Sequence, residues 1–168
     1  MAETLTLERL KAVLRYEPET GLFFWLEGNR WRRKSLLAGG NTESGYSNIW
    51  VEGKRYFSHR LAWFYMTGEW PNPECDHRDG NRSNNRIVNL REATPLQNSH
   101  NMKMRKDNLI GLKGVYRRKQ RGKYSARIHI FGKHTHLGQF DCPAAAHFAY
   151  VIAASQNFGE FARGGSNS

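Results

Sequence analysis

The segment 74–101 holds the residue types of this chain that are best suited to chemistry. Asp76 and His77 are adjacent, Asn89 follows His77 by twelve positions, and Asn98 follows Asn89 by nine. Carboxylate and amide oxygens are hard ligands that suit Mg²⁺ or Mn²⁺, and a neutral imidazole is a suitable general base near neutral pH. Asn and Asp are usually turn and cap residues when taken singly. Their combination with the Asp-His pair favours metal-assisted hydrolysis.

The order and context of these residues resemble a known nuclease motif. The sequence CDHRDGNRSNNRIVNLREATPLQNSHN is similar to the His-Asn-Asn form of the HNH motif, which occurs in phage and intron-encoded homing endonucleases. The resemblance implies a ββα-metal (His-Me finger) core that binds one Mg²⁺, with Mn²⁺ as a substitute, through Asp76 and Asn98. It also implies that His77 is the general base and that Asn89 orients the His77 ring through its far nitrogen or the nearby backbone.

Two features of the motif leave alternatives open. The commoner form of the motif has His at its last position, so His100 and Asn101 are alternatives to Asn98 as the second ligand. Adjacent residues of a strand point to opposite faces. If Asp76 reaches the metal ion, His77 therefore reaches the attacking water only from a distorted backbone or from the end of a strand.

Hydrophobic spacing and turn signals predict a mixed α and β chain around the motif. Upstream, they predict a helix over 4–15, a turn at 17–21, a strand over 21–26, a hairpin of 46–51 and 54–58 that turns at Glu52-Gly53, and a helix over 59–67 with Ser58 as its cap. Within the motif, they predict a strand over 75–77, a polar loop over 78–88, a strand over 89–92 and a helix that begins at Pro95. This order of strand, loop, strand and helix agrees with the fold that the resemblance implies.

Several residues near the motif are candidates for DNA contacts. Arg30, Arg32 and Arg33 lie in a basic loop that either clamps phosphates or is simply solvated. Arg91 contacts the substrate phosphate in one interpretation and forms a surface ion pair in the other. The side chains of residues 84–86 fit loop-forming or phosphate-contacting roles better than catalytic ones.

Residues 114–163 resemble a second known module. The opening Gly-Val-Tyr, the patterns Lys-Tyr-x-Ala-x-Ile and His-Leu-Gly-x-Phe, and an Ala-rich helix are similar to the Apetala-type DNA-binding domain, which also occurs fused to HNH nucleases. The resemblance implies a three-stranded antiparallel sheet packed on one helix. Turn signals place the strands at 114–119, 123–131 and 134–140, and Asp141 with Pro143 starts a helix that runs through Ala154.

Period-two alternation divides this sheet into an apolar face and a polar face. Ala126 and Ile128 alternate with Arg127 and His129, so the apolar face is expected to cover the helix. The polar face is predicted to contact DNA through Tyr116, Arg118, Gln120, Arg127, His129, His134 and His136. Such a sheet can enter the major groove, where Arg reads guanine and Gln reads adenine. The alternatives are a solvated basic face and, for the three His, a zinc site.

The charge of the chain agrees with a nucleic-acid partner. The net charge is +11, and residues 102–168 hold 12 Lys and Arg against 3 Asp and Glu, a net charge of +9. Such a field attracts the polyanionic DNA backbone, although a ribosomal or merely basic protein is an alternative. The two cysteines indicate neither a disulfide framework nor a Cys-rich zinc site. Because no signal peptide or membrane span is evident, we expect a cytoplasmic location in a bacterial or phage-infected cell, without a membrane partner.

These features together predict an α+β protein of three parts. Residues 1–101 form the N-terminal region and the HNH nuclease domain, 102–113 form a linker, and 114–163 form the Apetala-type domain. The predicted activity is nicking or site-specific, homing-type cleavage of double-stranded DNA. A monomer with one metal site would nick, whereas a homodimer could cut both strands. The rival interpretation is a sequence-specific DNA-binding regulator on a nuclease scaffold, which would bind DNA without metal and never cut it.

Overall fold

A computed structural model describes residues 5–26, 36–101, 104, 108–118, 122–130 and 132–162. Its four α-helices in these residues are α1 (Leu7–Val13), α2 (Ser58–Thr67), α3 (Pro95–His100) and α4 (Pro143–Phe158). The strands are β1 (Leu14–Glu17), β2 (Leu22–Trp25), β3 (Leu37–Ala38), β4 (Gly40–Asn41), β5 (Ser47–Val51), β6 (Lys54–Phe57), β7 (Glu74–His77), β8 (Leu90–Ala93), β9 (Val115–Arg117), β10 (Tyr124–Ile130) and β11 (Lys133–Phe140). The predicted mixed α and β composition is confirmed.

The strands form four small antiparallel sheets, ordered β1-β2-β3, β4-β5-β6, β7-β8 and β11-β10-β9. Contacts divide the chain into an N-terminal unit, Met1–Pro95, and a C-terminal unit, Leu96–Ser168. In the described part of the chain, no helix has both the length and the apolar character needed to cross a membrane.

The N-terminal unit has one main core built from α1, α2 and the first two sheets. Its fully enclosed side chains include Leu10, Leu14, Phe23, Ile49 and Leu61. Burying one such side chain contributes roughly 1.5–3 kcal/mol. This core anchors the start of β7, because Cys75 belongs to it.

The helix predicted over 4–15 is shorter than expected. Thr6 caps it, since Thr6 Oγ1 accepts a hydrogen bond from Arg9 N at 3.2 Å. Helix α1 ends at Val13, and Leu14 begins β1, which pairs with β2 so that Leu14 lies opposite Trp25. Strand pairing and burial of Leu14 therefore override the helical spacing of the segment.

The hairpin predicted at 46–58 is confirmed as β5 and β6. Its turn residues Glu52 and Gly53 have φ of 50° and 76°, the conformation of a type I′ turn. The following helix begins at Ser58, so Phe57 rather than Ser58 occupies the N-cap. The Ser58 hydroxyl instead bonds the Ser47 hydroxyl. Gly68 ends the helix in the left-handed conformation, with φ 81°.

The motif folds as two paired strands joined by a long loop, as predicted. In β7 and β8, Asp76 lies opposite Arg91 and His77 lies opposite Leu90. The second strand begins one residue later than predicted, because Asn89 ends a 3₁₀ turn, Ile87–Asn89. After β8, Pro95 begins the predicted helix, α3.

In the C-terminal unit, the predicted three-stranded sheet packs on α4. Val115 and Ala126 pack with Ala146 in one cluster, and Ile128 packs with Tyr150 in another. A Cβ added to Gly114 would lie 2.2 Å from Tyr150 Cδ2, so glycine allows the tyrosine ring to rest on the backbone. Helix α4 continues to Phe158, beyond the predicted end at Ala154, because its apolar face keeps packing in the second cluster.

Candidate active site

Asp76 is held in a buried ion pair. Arg91 Nε and Nη2 donate to Asp76 Oδ2 at 2.9 and 2.8 Å, and each residue is only 5% exposed. The surface ion pair considered for Arg91 is therefore wrong, because the pair is enclosed. A guanidinium so enclosed has little surface to offer a DNA phosphate.

His77 ends β7 and faces a different set of neighbours from Asp76. Its Nε2 atom lies 3.1 Å from Asn85 Oδ1, and the two residues are 3% and 4% exposed. Burial lowers the pKa of His77, although the hydrogen bond to Asn85 and the nearby carboxylates of Asp79 and Asp76 act in the opposite direction. His77 is therefore neutral near pH 7, the state that a general base requires.

Aromatic rings enclose His77. The His59 ring meets it edge to face at 4.9 Å between centroids, and the Tyr46 ring lies at 6.1 Å. His59 is 6% exposed, and burial, with His77 and Arg60 adding to it, lowers the pKa of His59 to about 3. In the described residues, His59 Nδ1 has no hydrogen-bond partner. Two neighbouring neutral imidazoles thus share one buried enclosure.

The loop after His77 is closed by Asp79 and Asn89. Asp79 N donates to Asn89 Oδ1 at 3.1 Å, and Asn89 Nδ2 donates to Asp79 Oδ1 at 3.0 Å and to Asn84 O at 2.8 Å. Burial alone would raise the pKa of Asp79, but hydrogen bonds from Asn81, Asn84 and Asn89 lower it below its usual value. Asn89 therefore fixes the backbone that follows His77.

Asn85 is a site residue that sequence reasoning missed. The prediction treated it as part of a polar loop, yet its side chain bonds His77 directly. Asn is common in exposed loops, and no hydrophobic period marks this position as buried. The signal available in the sequence is only the repeated Asn84-Asn85 pair between two strands.

Arg82 is an exposed cation beside the His77 enclosure. Its guanidinium lies over the Tyr46 ring at 4.7 Å, and Nη1 donates to Ser44 O at 3.0 Å. Ser83 Oγ donates to Gly45 O at 3.1 Å and ties the same two loops together. The positive charge of Arg82 is one of the smaller influences that lower the pKa of His77, so its field reaches the imidazole.

The last predicted ligand lies in the C-terminal unit. Asn98 is half-buried in α3, Asn101 is buried, and His100 stacks on Phe158 with 3.7 Å between ring centroids. Burial, together with Lys113 and His129, lowers the pKa of His100.

The donor set suits a hard, hydrated metal ion better than zinc. Among the described residues, no group of three or more His, Cys, Asp or Glu side chains could hold a metal ion, which argues against the zinc alternative for His129, His134 and His136. Mg²⁺ keeps several waters and binds through one or two carboxylates plus phosphate oxygens. Asp76 supplies one carboxylate of this kind, which is buried and whose Oδ2 atom already accepts from Arg91.

The polar face of the C-terminal sheet is exposed as predicted. Arg127 lies opposite His136, His129 lies opposite His134, and the Arg127 guanidinium lies 5.4 Å from the Tyr116 ring centroid. The exposed members of the predicted set are Tyr116, Arg118, Arg127, His129, His134 and His136. The predicted contacts Arg30, Arg32, Arg33 and Gln120 lie outside the described residues.

Comparisons with known proteins give one family match and two viral relatives. A family model described as HNH endonuclease matches residues 56–100. The chain is 36% identical over 106 residues to "Protein 3.8" of Escherichia phage T7, which covers 62% of this chain and 87% of that protein. It is 30% identical over 143 residues to "Uncharacterized HNH endonuclease L560" of Acanthamoeba polyphaga mimivirus, which covers 84% of this chain and 74% of that protein. The matched segment contains β7, β8 and the loop that joins them, and the chain belongs to the HNH endonuclease family.

Proposed function

We propose that this protein is a metal-dependent endonuclease that hydrolyses phosphodiester bonds of double-stranded DNA, with the ββα-metal core that the resemblance of its motif implies. The observation that carries the proposal is the adjacent pair of a buried carboxylate and a buried, neutral imidazole at the end of β7. Such an imidazole can take a proton from water, which is the first need of phosphodiester hydrolysis.

Each member of the predicted set has a role in this proposal. Asp76 and Asn98 would hold the ion, with Mg²⁺ as the expected metal and Mn²⁺ as a substitute. When bound, the ion neutralises charge on the phosphate and assists the departing 3′ oxygen. His77 takes the proton of the attacking water, and Asn89 holds the loop that follows His77.

Arg82 is proposed to contact the DNA beside His77. It is exposed, its guanidinium is oriented by Tyr46 and Ser44, and its charge reaches His77. A guanidinium in this position can neutralise a phosphate oxygen near the reacting bond.

The C-terminal unit is proposed to anchor the enzyme on DNA as an Apetala-type domain at 114–163, after a linker at 102–113. Its support is the exposed face of Tyr116, Arg127 and the paired His residues, together with the excess of basic residues after residue 101. Arg30, Arg32, Arg33 and Gln120 remain proposed additional contacts. Recognition through this sheet would make the cleavage site-specific, in the manner of a homing-type enzyme.

The experiment that tests the proposal is plasmid cleavage with Mg²⁺, Mn²⁺ or EDTA by the wild type and by His77→Ala. We expect supercoiled plasmid to become open circle only with metal, and the His77→Ala product to be reduced by about 10²–10⁴-fold. Linear product would indicate paired cuts by a homodimer. DNA binding without cleavage under any metal would favour the non-catalytic regulator instead.

A further inference from the structure

We infer that Asn85, held in place by Tyr16 and Gly21 of the N-terminal region, is a positioning residue that fixes His77 in the tautomer protonated at Nε2. The inference rests on the proposed role of His77 as general base. Its consequence is that the basic lone pair lies on Nδ1, so only one nitrogen of the ring can accept the proton of water.

The side chains of Asn85 and His77 are in direct contact. Asn85 Oδ1 and His77 Nε2 are 3.1 Å apart, and both residues are almost fully buried. An amide oxygen can only accept a hydrogen bond, so Nε2 must carry the proton in this arrangement. Unlike a carboxylate, the amide orients the ring without adding charge.

A buried tyrosine hydroxyl holds the Asn85 backbone. Tyr16 Oη donates to Asn85 O at 2.7 Å, across 69 positions of sequence. Tyr16 is 5% exposed and packs on Phe23 with 4.8 Å between ring centroids. Burial raises the pKa of Tyr16 to about 12, and a hydrogen bond with the Ile87 backbone acts in the opposite direction. One phenol therefore contacts the chain on both sides of Arg86.

The glycine between β1 and β2 lies against the same stretch of backbone. A Cβ on Gly21 would lie 2.5 Å from Arg86 N and 2.6 Å from Asn85 C, and Gly21 has φ +74°. Backbone therefore packs directly on backbone at this point, which only glycine permits. Tyr16 and Gly21 lie outside the matched family segment, 56–100, so a region upstream of the motif sets the position of its base.

The inference is tested by NMR on the full chain without metal, labelled with ¹⁵N-histidine. Long-range ¹H–¹⁵N correlations distinguish the two neutral tautomers, and a His77→Gln variant identifies the His77 signals. We expect the Nε2–H pattern in the wild type, its loss or averaging in Asn85→Leu, and its retention in Asn85→Asp, which keeps an oxygen acceptor. Tyr16→Phe is expected to broaden or partly shift these signals.

An Nδ1–H pattern in the wild type, or an unchanged Nε2–H pattern in a folded Asn85→Leu, would overturn the inference. Thermal unfolding establishes that each variant is folded. If Asn85→Leu does not fold, Asn85→Ala removes the same acceptor without adding apolar bulk and is judged by the same outcomes.

Cleavage assays then separate this inference from the proposed function. We expect Asn85→Leu to lower the single-turnover rate by about tenfold or more, with unchanged DNA binding, because a base in the wrong tautomer cannot take the proton. A wild type that shows the Nε2–H pattern but never cuts DNA would contradict the proposed function alone. An active wild type whose rate is unchanged in Asn85→Leu would contradict the positioning role alone.

Discussion

The His77 centre and the C-terminal sheet face differ in how they treat polar side chains. Around His77, several polar side chains are buried and paired, as with Asp76 and Arg91 and with Asn85 and His77. On the sheet face, Arg127 and the His residues are exposed and face solvent. Catalysis requires fixed groups in a water-poor setting, whereas DNA binding requires exposed charges that can contact phosphates. The same residue types therefore serve different ends in the two regions.

The contrast predicts different consequences for a lost charge. A buried pair that loses one partner leaves the other uncompensated in a low-dielectric setting. An exposed charge is already solvated, so its removal changes association with a polyanion more than stability. Variants around His77 should therefore alter stability or the cleavage rate. Variants on the sheet face should alter DNA binding and its dependence on salt.

The largest effect is expected from Arg91→Leu. It leaves the Asp76 carboxylate buried without its guanidinium, and we expect a loss of about 3–5 kcal/mol in the free energy of unfolding. Denaturant unfolding measures this value. Arg9→Ala is the matched control, since the Arg9–Glu52 pair is 62% and 41% exposed and should lose less than about 1 kcal/mol. Equal losses in the two variants would contradict the distinction between buried and exposed pairs.

An intermediate effect is expected on acidification. The pKa of His59 is about 3 in the folded protein, against an ordinary value of 6.5, so the unfolded chain binds the proton more readily. Stability is then full above pH 6.5 and is lost as the pH falls towards 3. His59 alone should cost about 2 kcal/mol between pH 7.5 and pH 5.

His59→Phe tests this prediction, because phenylalanine keeps a ring but cannot be protonated. The difference in unfolding free energy between pH 7.5 and pH 5 should shrink by about 2 kcal/mol in this variant. His77 contributes with the same sign, since its pKa is also lowered, and its contribution should remain. An identical pH dependence in the wild type and His59→Phe would show that His59 is already protonated in the fold or is not enclosed.

The smallest effects are expected from single exposed arginines. Arg127→Ala should weaken DNA binding by about tenfold and reduce its salt dependence, while the cleavage rate at saturating enzyme stays unchanged.

Arg82→Ala should lower the cleavage rate at saturating enzyme by about tenfold with little change in DNA binding. Arg55→Ala, at the other end of the β5–β6 hairpin, removes an exposed charge of the same kind and serves as the control. If Arg82→Ala behaved like Arg55→Ala, the proposed contact between Arg82 and a DNA phosphate would be contradicted.

Much of the fold was accessible from sequence because local signals mark it. The type I′ turn at Glu52 and Gly53, the glycine that ends α2, and the alternation in β10 each specify local structure. Strand β1 was missed, since its first residue, Leu14, also fits the helical spacing of the preceding segment. Long-range pairing with β2 decides between the two.

The candidate site was predictable to a different extent. The Asp76 and His77 pair is marked by its types and spacing, and both residues lie at the predicted strand end. No signal in the sequence marks the partners of these two residues. Arg91 is buried only because β7 and β8 place it opposite Asp76, and Asn85 reaches His77 only because Tyr16 and Gly21 hold its backbone. Such contacts depend on tertiary packing, which residue types alone do not reveal.

His77 is proposed to perform the chemistry, and other residues are proposed to bind the DNA. The most direct test measures DNA binding and single-turnover cleavage at saturating enzyme for the wild type and His77→Gln on the same substrate. We expect the two proteins to bind DNA within about twofold of each other and the cleavage rate of His77→Gln to be lower by about 10²–10⁴-fold. A folded His77→Gln enzyme that cuts at the wild-type rate would contradict the assignment of His77 as the base.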